Sequence, residues 1–445
     1  MATTIRLVPS AQRLMNSLRD LGYDLPTAVA DLVDNSIEAS ATVVDVDFRF
    51  EGEDSWIRIA DNGIGMSAAV LDEALRFGTR REYPDSGLSR FGLGMKTASL
   101  SQCRSMTVAT RADDSEPIEI RRWDLDYVEE TDEWEALQLR DSECRSECVA
   151  PLREHPGTVV LWEQLDRVLR YRLPTGIAAS QGMAALCRQV EEHLAMVFHR
   201  FLGGEAKRSL PLALTINGNA VEPWDPFARS ESGTVALRRQ SIRFQHKGRN
   251  SSVSVQPFIL PNEAQFSTSR AHALASGPDK WNRQQGFYIY RGDRMVQSGG
   301  WNHVRTLDEH TKLARIAVDF SPRLDELFEV NVAKMKVKLP AIVRNELTAI
   351  ASAVCNQAGS AYRQRPSRPP RRGTGGLVGG APRPPRAGDS VSGGPHSGAV
   401  AEQVVAVVRR ELRGEQAALD RVLGALSGIS DEFHRAVNHV YEVPA

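Results

Sequence analysis

Two glycine-bearing segments, set behind one helix with a polar face, constrain this chain more than any other feature. Asp61-Asn62-Gly63-Ile64-Gly65-Met66 follows the strand-like Trp56-Ile57-Arg58-Ile59-Ala60. Gly87-Leu88-Ser89-Arg90-Phe91-Gly92-Leu93-Gly94-Met95-Lys96-Thr97 precedes a short helical stretch. Ahead of both, Pro26 opens a helix with Val29, Leu32, Val33 and Ile37 on its apolar side. Asp31 and Asn35, four apart, project from one face of that helix. The spacing is not Gly-x4-Gly-Lys-Ser/Thr, which excludes a P-loop. Nor is it a dinucleotide turn, because Thr97 stands where the third glycine belongs.

The residue types point to nucleotide chemistry, with a plainer reading beside each. The Asp31 carboxylate could orient or deprotonate a water, and Asn35 offers a hard amide oxygen suited to Mg²⁺. Taken alone, the two describe a solvated helix face. Asp61 could accept a hydrogen bond from the exocyclic amine of adenine, with Gly63 and Gly65 letting backbone approach the base. Asp-Asn-Gly is equally a good turn between strand and helix. Gly87, Gly92 and Gly94 can leave backbone N–H groups facing phosphate oxygens, with Arg90 and Lys96 adding positive charge. Apolar Phe91, Leu93 and Met95 around them would also suit a hinge.

Around this core the chain has room for two or three domains. Its net charge of −1 gives no global reason to expect a polyanion partner. Five cysteines without a Cys-x-x-Cys pair read as reduced thiols. The start lacks an apolar signal core and no run approaches a membrane span, so the expectation is a cytoplasmic protein with no membrane contact. Strand patterns recur at 43–50, 56–60, 106–110, 118–120 and 157–162, with a strong helix over about 183–202. A second strand-rich unit has strands at 212–216, 253–255, 286–290 and 314–320, the turn Asn217-Gly218-Asn219, and a closing helix over about 340–361. Residues 363–398 are Pro, Gly, Ser and Arg with almost no large apolar side chain, a composition read as disordered. Beyond them, Val405, Val408, Leu412, Leu419, Val422 and Leu426 carry an amphipathic helical spacing that wants a partner.

The three nucleotide segments, in this order, resemble the ATP-binding fold shared by DNA gyrase, the ninety-kilodalton heat-shock chaperone, sensor histidine kinases and the mismatch-repair protein MutL. This is the GHKL superfamily, and within it the chain is most similar to MORC- and MutL-type ATPases. The resemblance implies an α+β protein whose two-layer ATP-binding (Bergerat) domain spans 1–204. A transducer-like α+β domain follows over 205–361, then the linker over 362–398 and a helical tail over 399–445. It implies that Asn35 holds Mg²⁺, that Asp61 reads adenine, and that Gly63, Gly65 and Met66 line the base pocket. Residues 76–95, with Gly78 and Thr79, would form a lid, and Arg90, Gly92, Leu93, Gly94, Met95 and Lys96 would hold the phosphates. Gly157-Thr158 resembles a later Gly-Thr box, with Thr158 supporting the adenine water network.

Less specifically, Val330-Asn331-Val332-Ala333-Lys334-Met335-Lys336-Val337 resembles the end of the MutL second domain, where a lysine reaches the γ-phosphate. Lys334 is the candidate. Lys334, Lys336 and Lys338 alternate onto one side of a strand, which leaves the register and an exposed basic edge as open readings. The family usually carries Glu where this chain has Asp31, so hydrolysis is expected to be slow or absent. The function implied is a Mg-ATP-dependent molecular clamp that homodimerises, with DNA as a partner through the linker arginines and a protein partner through the C-terminal helix. A chaperone-type ATPase and a non-hydrolysing adaptor are the alternatives.

Overall fold

The computed structural model describes residues 8–20, 22–78, 94–171, 173–207, 210–330 and 337–363. All belong to the first of two units, 1–368 and 369–445, into which the chain divides. The expected linker, beyond Arg363, and the expected helical tail lie outside the described residues.

The fold is α+β, as the sequence predicts. The first half runs α1 (Ala11–Arg19), α2 (Leu25–Glu38), β1 (Val43–Arg49), β2 (Trp56–Asp61), α3 (Ala68–Leu75), α4 (Gly94–Leu100), β3 (Ser105–Arg111), β4 (Glu119–Asp124), α5 (Leu125–Thr131), β5 (Leu137–Leu139), α6 (Ser146–Glu154), β6 (Gly157–Glu163), α7 (Ile177–Val197), α8 (His199–Leu202), β7 (Ala213–Ile216) and β8 (Asn219–Ala220). Its eight strands form one sheet in the order β5-β4-β3-β6-β2-β1-β7-β8, antiparallel except where β7 joins β1. The alternation in β1 sends Val44, Val46 and Phe48 into the core. There they meet Val29 and Val33 of α2, Met15 of α1 and Val190 and Leu194 of α7. The opposite sheet face, with Val159 and Leu161, is covered by Cys148, Val149 and Leu152 of α6.

Two local devices set the entry to α2. Asp24 caps it, its Oδ1 accepting from the Thr27 amide at 2.9 Å, and Pro26 occupies the first turn, where a missing N–H is harmless. The hairpin at Asn217-Gly218 forms as its turn signal predicts, with both residues at positive φ. It extends the first sheet rather than the second, because Val43–Val46 pairs with Ala213–Ile216.

The second half runs β9 (Val235–Ala236), β10 (Gln240–His246), β11 (Arg249–Ile259), α9 (Ser269–Ala275), α10 (Lys280–Arg283), β12 (Gly286–Arg291), β13 (Arg294–Gln297), β14 (Ala314–Phe320) and α11 (Ala341–Arg363). Its sheet has the order β10-β11-β14-β12-β13, with β9 on β11. Val343, Leu347 and Val354 of α11 join its core.

Polar contacts tie the two halves together, those of Arg294, Arg200 and His199 among them. Arg294 of β13 places Nε 2.9 and 2.7 Å from the two carboxylate oxygens of Asp34 in α2, both residues being buried. Arg200 of α8 pairs with Asp293 at 3.1 Å and with Asp319, and its guanidinium lies over the Tyr290 ring. His199 Nε2 sits 2.9 Å from Tyr290 Oη. Removing the guanidinium from beside a buried Asp34 should cost about 3–5 kcal/mol. Arg294→Met should therefore lower the unfolding free energy by about that amount, and Arg294→Met with Asp34→Leu should recover most of it. Equal loss in the single and double variants, measured by urea unfolding, would refute the pairing.

Burial, with the Arg200 charge next in weight, pushes His199 down to about 3. Its folded value is depressed, so the unfolded chain takes up the proton first as pH falls. The histidine's contribution is complete above about pH 6.5 and is lost progressively from there toward about 3. His199→Gln should remove about 1.4 kcal/mol per pH unit from the slope of stability in that window. Chemical denaturation across pH, wild type against variant, measures it.

Candidate functional site

The predicted site residues that lie within the described chain gather along α2, the end of β2, the start of α4 and the start of β6. Asp31 and Asn35 share the side of α2 that the helical spacing predicts. Asp31 is buried, and Tyr23 Oη donates to its Oδ2 at 2.9 Å. Burial and the carboxylate's charge both raise the Tyr23 pKa, which keeps the phenol protonated and donating. Gly94 closes on the same carboxylate: a Cβ there would lie 3.3 Å from Asp31 Oδ2. Arg294 Nη2 stands 4.0 Å from Asp31 Oδ1, so one guanidinium faces both acids of this helix.

Asp61 ends β2 with its carboxylate turned toward α2. Its Oδ2 accepts from Ser36 Oγ at 2.8 Å and its Oδ1 from the Gly63 amide at 2.9 Å. Burial raises its pKa above the usual carboxylate range, while the hydrogen bonds from Gly63, Ser36 and the Thr158 amide pull the other way. A carboxylate held this way is ready to accept a further hydrogen bond from an amine.

The two glycines after Asp61 serve the protein's own packing. A Cβ on Gly63 would meet Ala39 Cβ at 2.8 Å, and one on Gly65, at φ +60°, would come within 2.0 Å of Arg111 O. Asn62 accounts for the turn reading of this segment, since its Oδ1 accepts from the Thr42 and Val43 amides at 2.9 Å each. Thr158 stands opposite Asp61 in the β2–β6 pairing. Its hydroxyl is 3.2 Å from Thr110 Oγ1, which also receives the Met66 amide at 2.9 Å and donates to Gly157 O at 2.8 Å.

Lys96, on the first turn of α4, is almost fully buried and donates to Ala74 O at 2.7 Å. Burial pulls its ammonium down to about 8. Met95 packs against the first core. Thr79, Arg90, Gly92, Leu93 and Lys334 lie outside the described residues. Among the described residues no cluster of three or more His, Cys, Asp or Glu side chains forms a metal cage, and no helix is long and apolar enough to cross a membrane. All five cysteines are free.

Sequence reading missed Tyr23, Ser36, Thr110 and Arg294. Ser36 had a local signal, one position beyond Asn35. Arg294 had none, because it lies 260 residues from Asp34.

Comparison with known proteins agrees with this geometry. Residues 23–154 match the family described as histidine kinase-, DNA gyrase B- and HSP90-like ATPase. Over these residues the chain is similar to the ATPase domains of the GHKL superfamily, and it also shows similarity to MORC and MutL-type proteins. It is 28% identical over 87 residues to the ATPase morc-1 of Caenorhabditis elegans, covering 20% of this chain and 10% of that protein. It is 35% identical over 100 residues to the DNA mismatch repair protein PMS1 of Arabidopsis thaliana, covering 21% of this chain and 11% of that one. The matches thus span about a tenth of each relative's length.

Because the ionised Asp61 is penalised by burial, its folded pKa is raised and the penalty is complete above that value. Stability should rise as pH falls through it. Asp61→Asn removes the charge and keeps the shape. Its thermal midpoint at neutral pH should be no lower than that of wild type, with the difference closing on acidification. A midpoint that drops at neutral pH would show that the carboxylate stabilises the fold.

Proposed function

We propose that the chain binds Mg-ATP against α2, β2 and α4 and works as a slow, ATP-gated clamp. The observation that carries this reading is the buried Asp61 carboxylate, held by Ser36 and Gly63 at the end of β2 with capacity to accept one more donor. An adenine amine is such a donor. Asn35 offers its amide oxygen to Mg²⁺, which would neutralise phosphate charge there. Thr158 and Thr110 support the base side, and Gly94, Met95 and Lys96 line the approach of the phosphates. Asp31, fixed by Tyr23, positions the attacking water and takes its proton. Lys334, from the segment before α11, approaches the γ-phosphate. Closure of residues 76–95 over bound nucleotide joins two copies of the chain, and hydrolysis parts them. The arginines between 363 and 386 give the clamp a DNA-facing segment, and the C-terminal helix a protein-facing one.

Units over 1–204 and 205–361 fit this reading, with the 213–220 hairpin bracing the first sheet. A non-hydrolysing adaptor is favoured by one feature, the short acid at position 31.

Hydrolysis separates the two. Asp31→Asn should keep ATP affinity within about threefold and lower turnover by about 10²-fold or more, the usual share of a general base. Turnover unchanged by that substitution, or absent from the wild type, leaves the adaptor. Asp61→Asn should weaken ATP binding about tenfold or more by calorimetry, the worth of a charged hydrogen bond of about 1.5–3 kcal/mol. Light scattering should show the mass doubling with Mg-ATP, and an unchanged mass would end the clamp model.

A further inference from the structure

The hairpin β10–β11 carries a charge pattern that the nucleotide site does not use. Between Glu231 and Glu263 the chain has no carboxylate, yet it carries Arg238, Arg239, Arg243, Lys247 and Arg249, all exposed. The two strands pair in strict register, with Ser241 opposite Ser254, Arg243 opposite Ser252 and Gln245 opposite Asn250. The Lys247-Gly248 turn has both residues at positive φ, the tight turn that matches strand twist. One face of the ribbon is apolar, with Ile242, Phe244, Val253 and Val255 in the second core. Its other face presents Arg239, Ser241, Arg243, Gln245, Asn250, Ser252 and Ser254, with neither an apolar nor an acidic side chain.

Few of these cations are neutralised. Lys247 pairs with Glu326, and Arg239 donates to the Gln256 amide oxygen at 3.0 Å. Among the described residues, Arg238, Arg243 and Arg249 have no carboxylate partner. Guarding an edge strand against aggregation would need charge on β10 alone. Here the inner strand β11 is also polar on that face, with serines and asparagine in place of the usual apolar or mixed-charge pattern. Arginine together with Ser, Asn and Gln is the side-chain set that contacts phosphate oxygens. A two-stranded ribbon also has the width that a DNA major groove admits.

We propose that the outer face of β10–β11 is a docking surface for the phosphate backbone of duplex DNA. The inference rests on DNA being the clamp's partner and assigns it a place on the folded body, apart from the linker arginines.

The test uses the full chain, a fluorescently labelled duplex and anisotropy titrations at several salt concentrations. Arg239→Gln and Arg243→Gln, the two arginines of the outer face, are combined in one variant. Wild type should bind, and the variant should bind about tenfold or more weakly. The slope of log K against log salt should shrink by about one to two, near 0.9 for each phosphate that is no longer neutralised. Mg-ATP affinity, measured in parallel, should be unchanged in the variant, which keeps a folding defect from imitating the result. Equal affinity and equal slope in the two proteins would overturn the surface while leaving DNA as partner. No duplex binding by wild type would overturn both. Tighter binding to single-stranded RNA than to the duplex would overturn the assignment to DNA.

Discussion

The buried ion pair between Arg294 and Asp34 is the contact on which the geometry of the site depends. Helix α2 carries Asp31, Asn35 and Ser36, so any roll of this helix moves every polar group that faces the candidate pocket. Apolar packing holds one side of α2, but packing is tolerant of small rotations. A guanidinium Nε that meets both oxygens of one carboxylate is not, because both distances must be kept. The pair is made from the turn end of the β12–β13 hairpin, so the orientation of α2 is set by the second sheet. Arg291, at the other end of that turn, is itself locked by Asp325 through 2.7 and 2.6 Å contacts. The hairpin is therefore a rigid arm rather than a loose loop, and what it fixes in α2 stays fixed.

The base side of the site follows a different logic. There the chain uses short hydroxyl and amide contacts and backbone-to-backbone packing. Ser36 joins α2 to β2, Thr110 joins β3 to the Met66 loop and to β6, and Gly65 lets the loop touch the backbone at Arg111. These contacts place one ionisable group, Asp61, where burial works against its charge. Such a group raises the energy of the fold, the pattern that the proposed binding role of Asp61 rests on.

Local signals were readable where one segment holds all the information. The strand alternation of β1, the Pro26 start of α2 and the Asn217-Gly218 turn are each settled by neighbours within a few residues, and each forms as the sequence predicts. Residues 129–155 were opaque because α5, β5 and α6 are short and charged, and their few buried apolar side chains, Cys148, Val149 and Leu152 foremost, are too sparse to mark the face that covers the sheet. Strand β10 was missed for a related reason: with arginines on its exposed positions, it lacks the contrast that alternation needs. The role of Asp34 was not legible in the sequence. Its partner comes from a distant hairpin, and no pattern local to α2 encodes that.

The same contacts bear on the short acid at position 31. An aspartate reaches one methylene less far than the glutamate usual in the family, which by itself places its oxygens further from a phosphate. Here the carboxylate end already meets the first residue of α4, since a side chain at Gly94 would begin 3.3 Å from Asp31 Oδ2. Tyr23 holds one oxygen of that acid and Arg294 stands 4.0 Å from the other, so the side chain has little freedom to swing. A short side chain held in a single orientation has the positional precision that the proposed role of Asp31 requires. Position 31 and position 94 are therefore closely matched, and a longer acid at 31 would crowd the start of α4.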